Sequence, residues 1–353
     1  MKLTFFTGGL SGGGAERVIC NLANFLIAHN HECTILTMAE EEASYSLDKR
    51  VKVVSLIKKS ERKNVVYDNI LRIVRLKKYL KASESETYIG FLPRTIIMLL
   101  ALRKNTKARV VVSERADPTR YLKITQFLLK NLAKRADQWV FQTEDAMVWY
   151  KGYIKNGIII PNAINPAFIK ASYEGERRKV IVGAGRLSEQ KNFALLINSF
   201  ADVAGTFPDY SLIIYGEGNK RNELEQLAKE RGVGDRVSLP GYVMSLGDEI
   251  EDASLFVLSS DFEGMPNALM EAMALGLPCI STDCPVGGPR YLIRDGKNGV
   301  LVPVNDRFSL AEAIKNMLRD NEKSVTLGRE AAKISDELHP NKIYTMWSNV
   351  IQA

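Results

Sequence analysis

The sequence predicts an α/β protein made of two doubly wound parallel-sheet domains. Three observations carry that expectation. Short β-branched or aromatic runs alternate with helical patterns along the chain. The run Pro161-Asn162-Ala163-Ile164-Asn165-Pro166-Ala167-Phe168 breaks the alternation with two prolines and two asparagines. The length of 353 residues is comfortable for two cores and long for one.

Taken in order, the first series opens on a buried strand over 3–7. An apolar helical face over 15–28 follows, then strands over 33–37 and 51–56. A long helix over 65–81 leads to a strand over 87–91, a helix over 95–102 and a strand over 110–113. A helix over 121–133 and strands over 139–142 and 158–160 complete the series. In the second series, strands are predicted over 180–183, 211–215, 237–239, 254–258, 279–281 and 300–302. Near the C-terminus Ile343, Trp347 and Ile351 recur every four residues, one face of a helix.

Composition narrows the class. A hydrophobic content of 46% with 25% charged residues is that of a soluble globular protein. No stretch of 18 apolar residues exists to span a bilayer. The first residues lack the apolar length and small-residue cleavage pattern of a secretory leader. Cys20, Cys33, Cys279 and Cys284 have no metal-type spacing, so reduced thiols in a cytoplasmic protein are expected. The charge is uneven. Residues 1–168 hold 27 Lys and Arg against 15 Asp and Glu, a net +12, while residues 169–353 hold 21 against 26, a net −5. The basic half suits a polyanion: an anionic membrane surface, a lipid pyrophosphate or nucleic acid. Solubility alone is the competing explanation.

Several loops at predicted strand ends carry chemistry. Gly8-Gly9-Leu10-Ser11-Gly12-Gly13-Gly14-Ala15-Glu16-Arg17 joins a strand to a helix. Its glycines let backbone N–H groups approach a phosphate. It fits Gly-x-Gly-x-x-Gly in no register, which weighs against a dinucleotide dehydrogenase. Gly183-Ala184-Gly185-Arg186-Leu187 ends another strand, and Lys191 follows Arg186 by five positions. Two cations there neutralise charge growing on a departing diphosphate. Glu217 and the pair Tyr242 and Val243 follow two further strands. Finally, Glu263-Gly264-Met265-Pro266-Asn267 follows the strand over 254–258, and Glu271 lies about two turns into the next helix. Carboxylates at strand ends accept hydrogen bonds from sugar hydroxyls, and free N–H groups near Met265 and Asn267 suit an anion.

The Glu-x7-Glu pair with Gly-x-Pro after its first member resembles the signature of the family-4 retaining glycosyltransferases, which have the GT-B fold. That resemblance implies two Rossmann-like domains facing a central cleft, with the last helix crossing back to the first domain. Residues 1–168 with 340–353 would bind the acceptor, and residues 169–339 the nucleotide sugar. It assigns Glu263 to the donor sugar, Glu271 to the ribose, and Arg186 with Lys191 to the diphosphate. Gly12, Gly13 and Gly14 would face that diphosphate, and Tyr242 and Val243 would hold the nucleobase through backbone contacts. Glu217, Gly264, Met265, Pro266 and Asn267 complete the donor set. The segment Pro285-Val286-Gly287-Gly288-Pro289 is similar to one in enzymes building bacterial surface polysaccharides and protein-linked glycans, with one residue added.

On the acceptor side, Ser113-Glu114-Arg115 ends a strand where many family members carry a histidine. Histidines occur only at 29, 31 and 339, so His-based catalysis is not expected. Glu114 either binds acceptor or donor hydroxyls or serves as ion partner to Arg115. On the helix over 65–81, Val66, Ile70, Ile73 and Leu80 form an apolar row, while Arg72, Arg75 and Lys78 form a basic stripe. The stripe is either a solvated face or a grip for an anionic membrane or lipid-linked pyrophosphate.

The expected function is transfer of a hexose or N-acetylhexosamine from a UDP-sugar to a saccharide acceptor, lipid-linked, in bacterial glycan synthesis. The place of action is cytoplasmic, peripheral at the inner face of the membrane. No Asp-x-Asp or histidine cluster implies a metal, no cofactor is implied beyond the donor, and nucleic acid is not expected as a partner. An epimerase or dehydrogenase would share the domains without these motifs. A non-enzymatic membrane- or nucleic-acid-binding protein would explain the basic half alone.

Overall fold

The computed structural model describes residues 1–11 and 13–353. Gly12, one of the expected phosphate-facing glycines, lies outside the described residues. The chain divides into two compact units, Met1–Asn162 with Asn341–Ala353, and Ala163–Pro340.

The first unit runs β1 (Lys2–Thr7), α1 (Gly14–Ala28), β2 (Glu32–Thr37), β3 (Lys52–Ser55), α2 (Val65–Ala82), β4 (Thr87–Phe91), α3 (Pro93–Ala101), β5 (Arg109–Ser113), α4 (Lys123–Leu132), β6 (Gln138–Phe141), α5 (Glu144–Trp149) and β7 (Gly157–Ile159). Among the described residues the strands form one sheet in the order β3-β2-β1-β4-β5-β6-β7, with every neighbouring pair parallel. Such a sheet is covered on both faces, so its strands are apolar throughout instead of alternating. β4 is buried at all five positions, and β1 at five of six.

The second unit holds β8 (Arg178–Ala184), α6 (Phe193–Ala204), β9 (Ser211–Tyr215), α7 (Arg221–Glu230), β10 (Val237–Gly241), α8 (Leu246–Ile250), β11 (Ala253–Leu258), α9 (Asn267–Ala274), β12 (Cys279–Thr282), α10 (Gly288–Leu292), β13 (Val300–Val302), α11 (Arg307–Arg319), α12 (Asn321–Ala332) and α13 (Ile334–Glu337). Its parallel sheet has the order β10-β9-β8-β11-β12-β13. Ile181, Leu212, Ile214 and Val257 on the strands pack with Leu196 and Phe200 of α6 and Ile314 of α11, all fully buried. Each such side chain contributes about 1.5–3 kcal/mol of apolar burial.

The last helix, α14 (Pro340–Gln352), packs on the first unit. Ile343, Trp347 and Ile351 are buried, as their spacing predicts. Trp347 stacks on Phe91 of β4 at 5.7 Å between centroids, and Tyr344 lies 5.2 Å from Phe25 of α1.

In both sheets the strand order reverses once, between β1 and β4 and between β8 and β11. Loops leaving strand ends on either side of such a reversal diverge and leave room for a ligand. In the second unit those are the loops after β8 and β11. They carry Arg186, Lys191 and Glu263.

All four cysteines are free and buried. Burial pushes the Cys20 thiol up to about 11 and the Cys33 and Cys284 thiols up to about 12. No described helix is long and apolar enough to cross a membrane.

Candidate active site

At the carboxyl edge of the second sheet, backbone contacts tie the loops together. Gly185 donates to the Tyr215 carbonyl (2.9 Å), Leu187 to the Glu217 carbonyl (2.9 Å) and Gly216 to the Gly241 carbonyl (2.8 Å). The loops after β8, β9 and β10 therefore form one backbone layer. Its closeness demands glycine. Gly216 has φ +136°, and a Cβ there would come within 1.9 Å of the Gly185 carbonyl oxygen. Glu217 is held by Arg221, 2.7 Å away. Tyr242 is exposed at 77%, beside a half-buried Val243.

Lys191 closes a single 3-10 turn, Glu189–Lys191, after β8. Its ammonium donates to Glu263 Oε1 at 2.5 Å. Ser260 Oγ donates to the same oxygen at 2.7 Å, and Gln190 Nε2 reaches Oε2 at 3.4 Å. Gly185 makes room for the lysine stem, since a Cβ there would lie 2.9 Å from Lys191 Cε. The backbone of Glu263 is fixed as well. Its N–H donates to the Pro285 carbonyl at 2.6 Å, and its carbonyl accepts from Val286 at 2.9 Å. The Pro-Val-Gly-Gly-Pro segment thus braces this glutamate, and Gly288 fits against the Gly264 carbonyl, where a Cβ would come within 2.0 Å.

Pro266 caps the start of α9 and Asn267 begins it. Glu271 is buried about one turn in and not two, because α9 begins only at Asn267, and Met265 is buried beside the cap. Arg186 is exposed, and its guanidinium makes no hydrogen bond or ion pair with another described residue. The arrangement therefore presents one unengaged guanidinium, a lysine shared with a carboxylate, and the N-terminal amides of α9. This set can hold a diphosphate beside a hydroxyl-rich ring.

Sequence reasoning missed the residues that hold this pair. Asn192 sits at φ +43°, caps α6 through Leu195 N–H, and donates to both Asp261 and Asn305 at 2.7 Å. Ser260 and Thr282 continue the network, Thr282 Oγ1 donating to the Ser260 carbonyl at 2.6 Å. Ser-x-x-Glu spacing at the strand end was the available signal.

The remaining candidates lie on the first unit. Gly13 precedes α1 in extended conformation, and Gly14 begins the helix. Glu114 is fully buried. Its Oε1 accepts from the Tyr121 hydroxyl (2.5 Å) and its Oε2 from the Tyr150 hydroxyl (2.7 Å). Burial raises its carboxyl above the ordinary range, against the pull of those two phenols. Both oxygens are thus engaged within the protein. Arg115, also buried, donates to Ser113 and Asn162 and stacks over Phe91 at 5.7 Å. Burial lowers it to about 9.

The basic stripe of α2 does not form as a surface. Arg72 turns inward, donating to the Met38 carbonyl and to Asn69, both at 3.1 Å. Arg75 pairs with both oxygens of Glu61 and donates to the Leu56 carbonyl. The guanidiniums satisfy carbonyls left open where β2 and β3 end, a use the periodicity does not show. Lys78 alone of the three stays exposed.

Two family models match, Glycosyltransferase Family 4 over residues 12–168 and Glycosyl transferases group 1 over residues 165–334. An N-acetylgalactosaminyltransferase of Campylobacter jejuni, named for a diphospho-undecaprenol substrate, is 30% identical over 91% of this chain and 91% of its own. The chain is a family-4 glycosyltransferase. A second Campylobacter jejuni relative, an α-1,4-N-acetyl-D-galactosaminyltransferase named for a PP-undecaprenol glycan, is 28% identical over 99% of this chain and 98% of its own. LpsE of Rhizobium meliloti, a lipopolysaccharide core glycosyltransferase, is 28% identical over 91% and 90%. Anabaena HepE in complex with UDP superposes with a TM-score of 0.85 over 100% of both chains at 16% identity. Sucrose-phosphate synthase of Thermosynechococcus elongatus gives 0.85 over 99% and 98% at 17% identity. The fold of this glycosyltransferase is GT-B.

Proposed function

We propose that this glycosyltransferase moves a hexose or N-acetylhexosamine from a UDP-sugar to a saccharide carried on a polyprenyl pyrophosphate, with retention of configuration. The observation that carries the reading is the Lys191–Glu263 pair at the reversal of the second sheet, next to an unengaged Arg186. The relatives named for undecaprenol-linked glycans support the acceptor class, and the UDP complex of HepE supports the nucleotide.

In this reading residues 169–339 hold the donor. Glu271 binds the ribose, and the backbone at Tyr242 and Val243 binds the base. Gly264, Met265, Pro266 and Asn267 present the start of α9 to the diphosphate, and Glu217 closes the layer beneath. Gly12, Gly13 and Gly14 keep the phosphate-binding role that the resemblance implies. Glu263 orients the sugar ring. As the bond from the anomeric carbon to the diphosphate oxygen breaks, Arg186 and Lys191 take up the growing negative charge. The acceptor oxygen attacks the same face, and its proton passes to a phosphate oxygen of the leaving UDP. Two fixed cations supply what a divalent metal would otherwise supply, so the reaction is metal-independent. The acceptor lies on residues 1–168 with 340–353. There Glu114 and Arg115 position the loop after β5. Lys78 meets acceptor phosphate, because Arg72 and Arg75 are engaged elsewhere. The enzyme works as a peripheral protein at the inner face of the cytoplasmic membrane.

Saturation-transfer NMR with a panel of nucleotide sugars, with and without magnesium, tests the donor site. A UDP-sugar should bind equally in both, and the anomeric signal of the product should be α. Binding of NAD and no nucleotide sugar would overturn the reading.

A further inference from the structure

Of the apolar row of α2, Leu80 is buried as expected, but Val66, Ile70 and Ile73 do not face the core, and neither does Val74. Val66, Ile70, Ile73 and Val74 are 69%, 58%, 46% and 58% exposed, while Leu76 and Leu80 alone anchor the apolar side. At about 100° per residue the four fall on one strip of the helix, and Lys77 and Lys81 fall on the same strip. Helix α4 and Leu122 just before it repeat the pattern. Leu122, Ile124 and Phe127 are 76%, 61% and 61% exposed, beside an exposed Lys123.

The two helices share one side of the first sheet. The connections β3 to β4 and β5 to β6 step the same way across it, and right-handed crossovers then put both helices on the same face. Helix α3 lies between them, packing on α4 and reaching α2 through the Arg94–Asn69 hydrogen bond. A monomeric surface rarely spends this many large apolar side chains on water. The charge pattern selects the occupant. Helix α4 has no acidic residue, and the one acid of α2, Asp68, is buried toward Arg72 and Arg62. Lys63, Lys77, Lys78 and Lys81 stay exposed along α2.

We infer that the exposed apolar strips of α2 and α4 insert into the interfacial layer of an anionic phospholipid bilayer, with the flanking lysines on its headgroups. The inference rests on the lipid-linked acceptor proposed above and names the surface that brings the enzyme to it. Apolar contact supplies the depth of insertion, and the lysines supply selectivity for anionic lipid.

The test is vesicle co-sedimentation, with phosphatidylcholine alone and with added phosphatidylglycerol. The protein should bind the mixed vesicles and release from them as salt rises. The exposed-site variant Ile70→Glu/Ile73→Glu should weaken binding at least about tenfold. A second variant, Lys77→Gln/Lys81→Gln, should weaken it and flatten the salt dependence. Both should bind UDP-sugar as the parent does, which separates failure of this inference from failure of the donor assignment. Three results would overturn it: no binding of the parent to mixed vesicles, unchanged binding by the glutamate variant, or a dimer in sedimentation equilibrium that the glutamate variant dissolves.

Discussion

Replacing Lys191 by methionine separates what that residue does for the fold from what it does for transfer. The Lys191 side chain is 16% exposed and that of Glu263 8%, at 2.5 Å. Removing one member of a buried pair leaves the other charge poorly solvated, a cost of about 3–5 kcal/mol. Ser260 and Gln190 still donate to Glu263, which places the expected loss near the lower figure. For a unit of this size about 3 kcal/mol lowers the melting temperature by roughly 6–12 °C. Lys191→Met/Glu263→Gln removes the stranded charge and should regain most of that loss. Transfer behaves differently. Loss of a preorganised cation at a developing charge lowers kcat by about 100–1,000-fold, and the double variant should be no better. Differential scanning fluorimetry reads the first effect, and UDP release with the preferred donor reads the second. Equal melting of the single and double variants would refute the burial argument. Turnover by Lys191→Met within threefold of the parent would refute the charge argument.

Further outcomes follow from other contacts. Ser260→Ala removes one donor to Glu263, so kcat should fall about tenfold with KM little changed, by initial rates over a donor series. Chelation with EDTA should leave initial rates unaltered, since Arg186 and Lys191 are assigned the phosphate charge. Glu61 is held down to about 2, first by Arg75 and then by the Lys58 amide. A depressed carboxyl contributes stability that is present above its ordinary value of 4.5 and lost as pH falls through about 2. Glu61→Gln should therefore flatten the acid limb of the stability curve between those values. Trp347→Ala removes a fully buried ring stacked on Phe91, so the first unit should lose about 3–5 kcal/mol in urea unfolding.

The sheets were legible because parallel strands are buried on both faces. Runs such as Leu255-Phe256-Val257-Leu258 have no other economical place. The edges of the site were legible for a related reason: glycines at 216 and 288 mark where backbones meet too closely for side chains. The supports of Glu263 from the other loop were not, because Gln190 and Asn192 are ordinary polar residues until the fold joins two loops about seventy positions apart. Helix α2 misled in an instructive way. Its 3.6-residue period was readable, yet period does not say which side faces in. A core that needed guanidiniums for strand-end carbonyls took Arg72 and Arg75 and left valines and isoleucines outside. Glu114 shows the same limit, since its tyrosine partners lie 7 and 36 positions away.

The return of α14 to the first unit bears on how the protein is made. Strands β1 to β7 leave the ribosome early, but the seat for Trp347 on Phe91 stays empty until residues 163–340 have been translated. At roughly 5–20 residues per second that wait is on the order of ten to thirty seconds. The unit encoded first is thus the one completed last. For that interval the nascent chain carries an open aromatic seam while its second unit is still being made, a natural point for chaperone engagement.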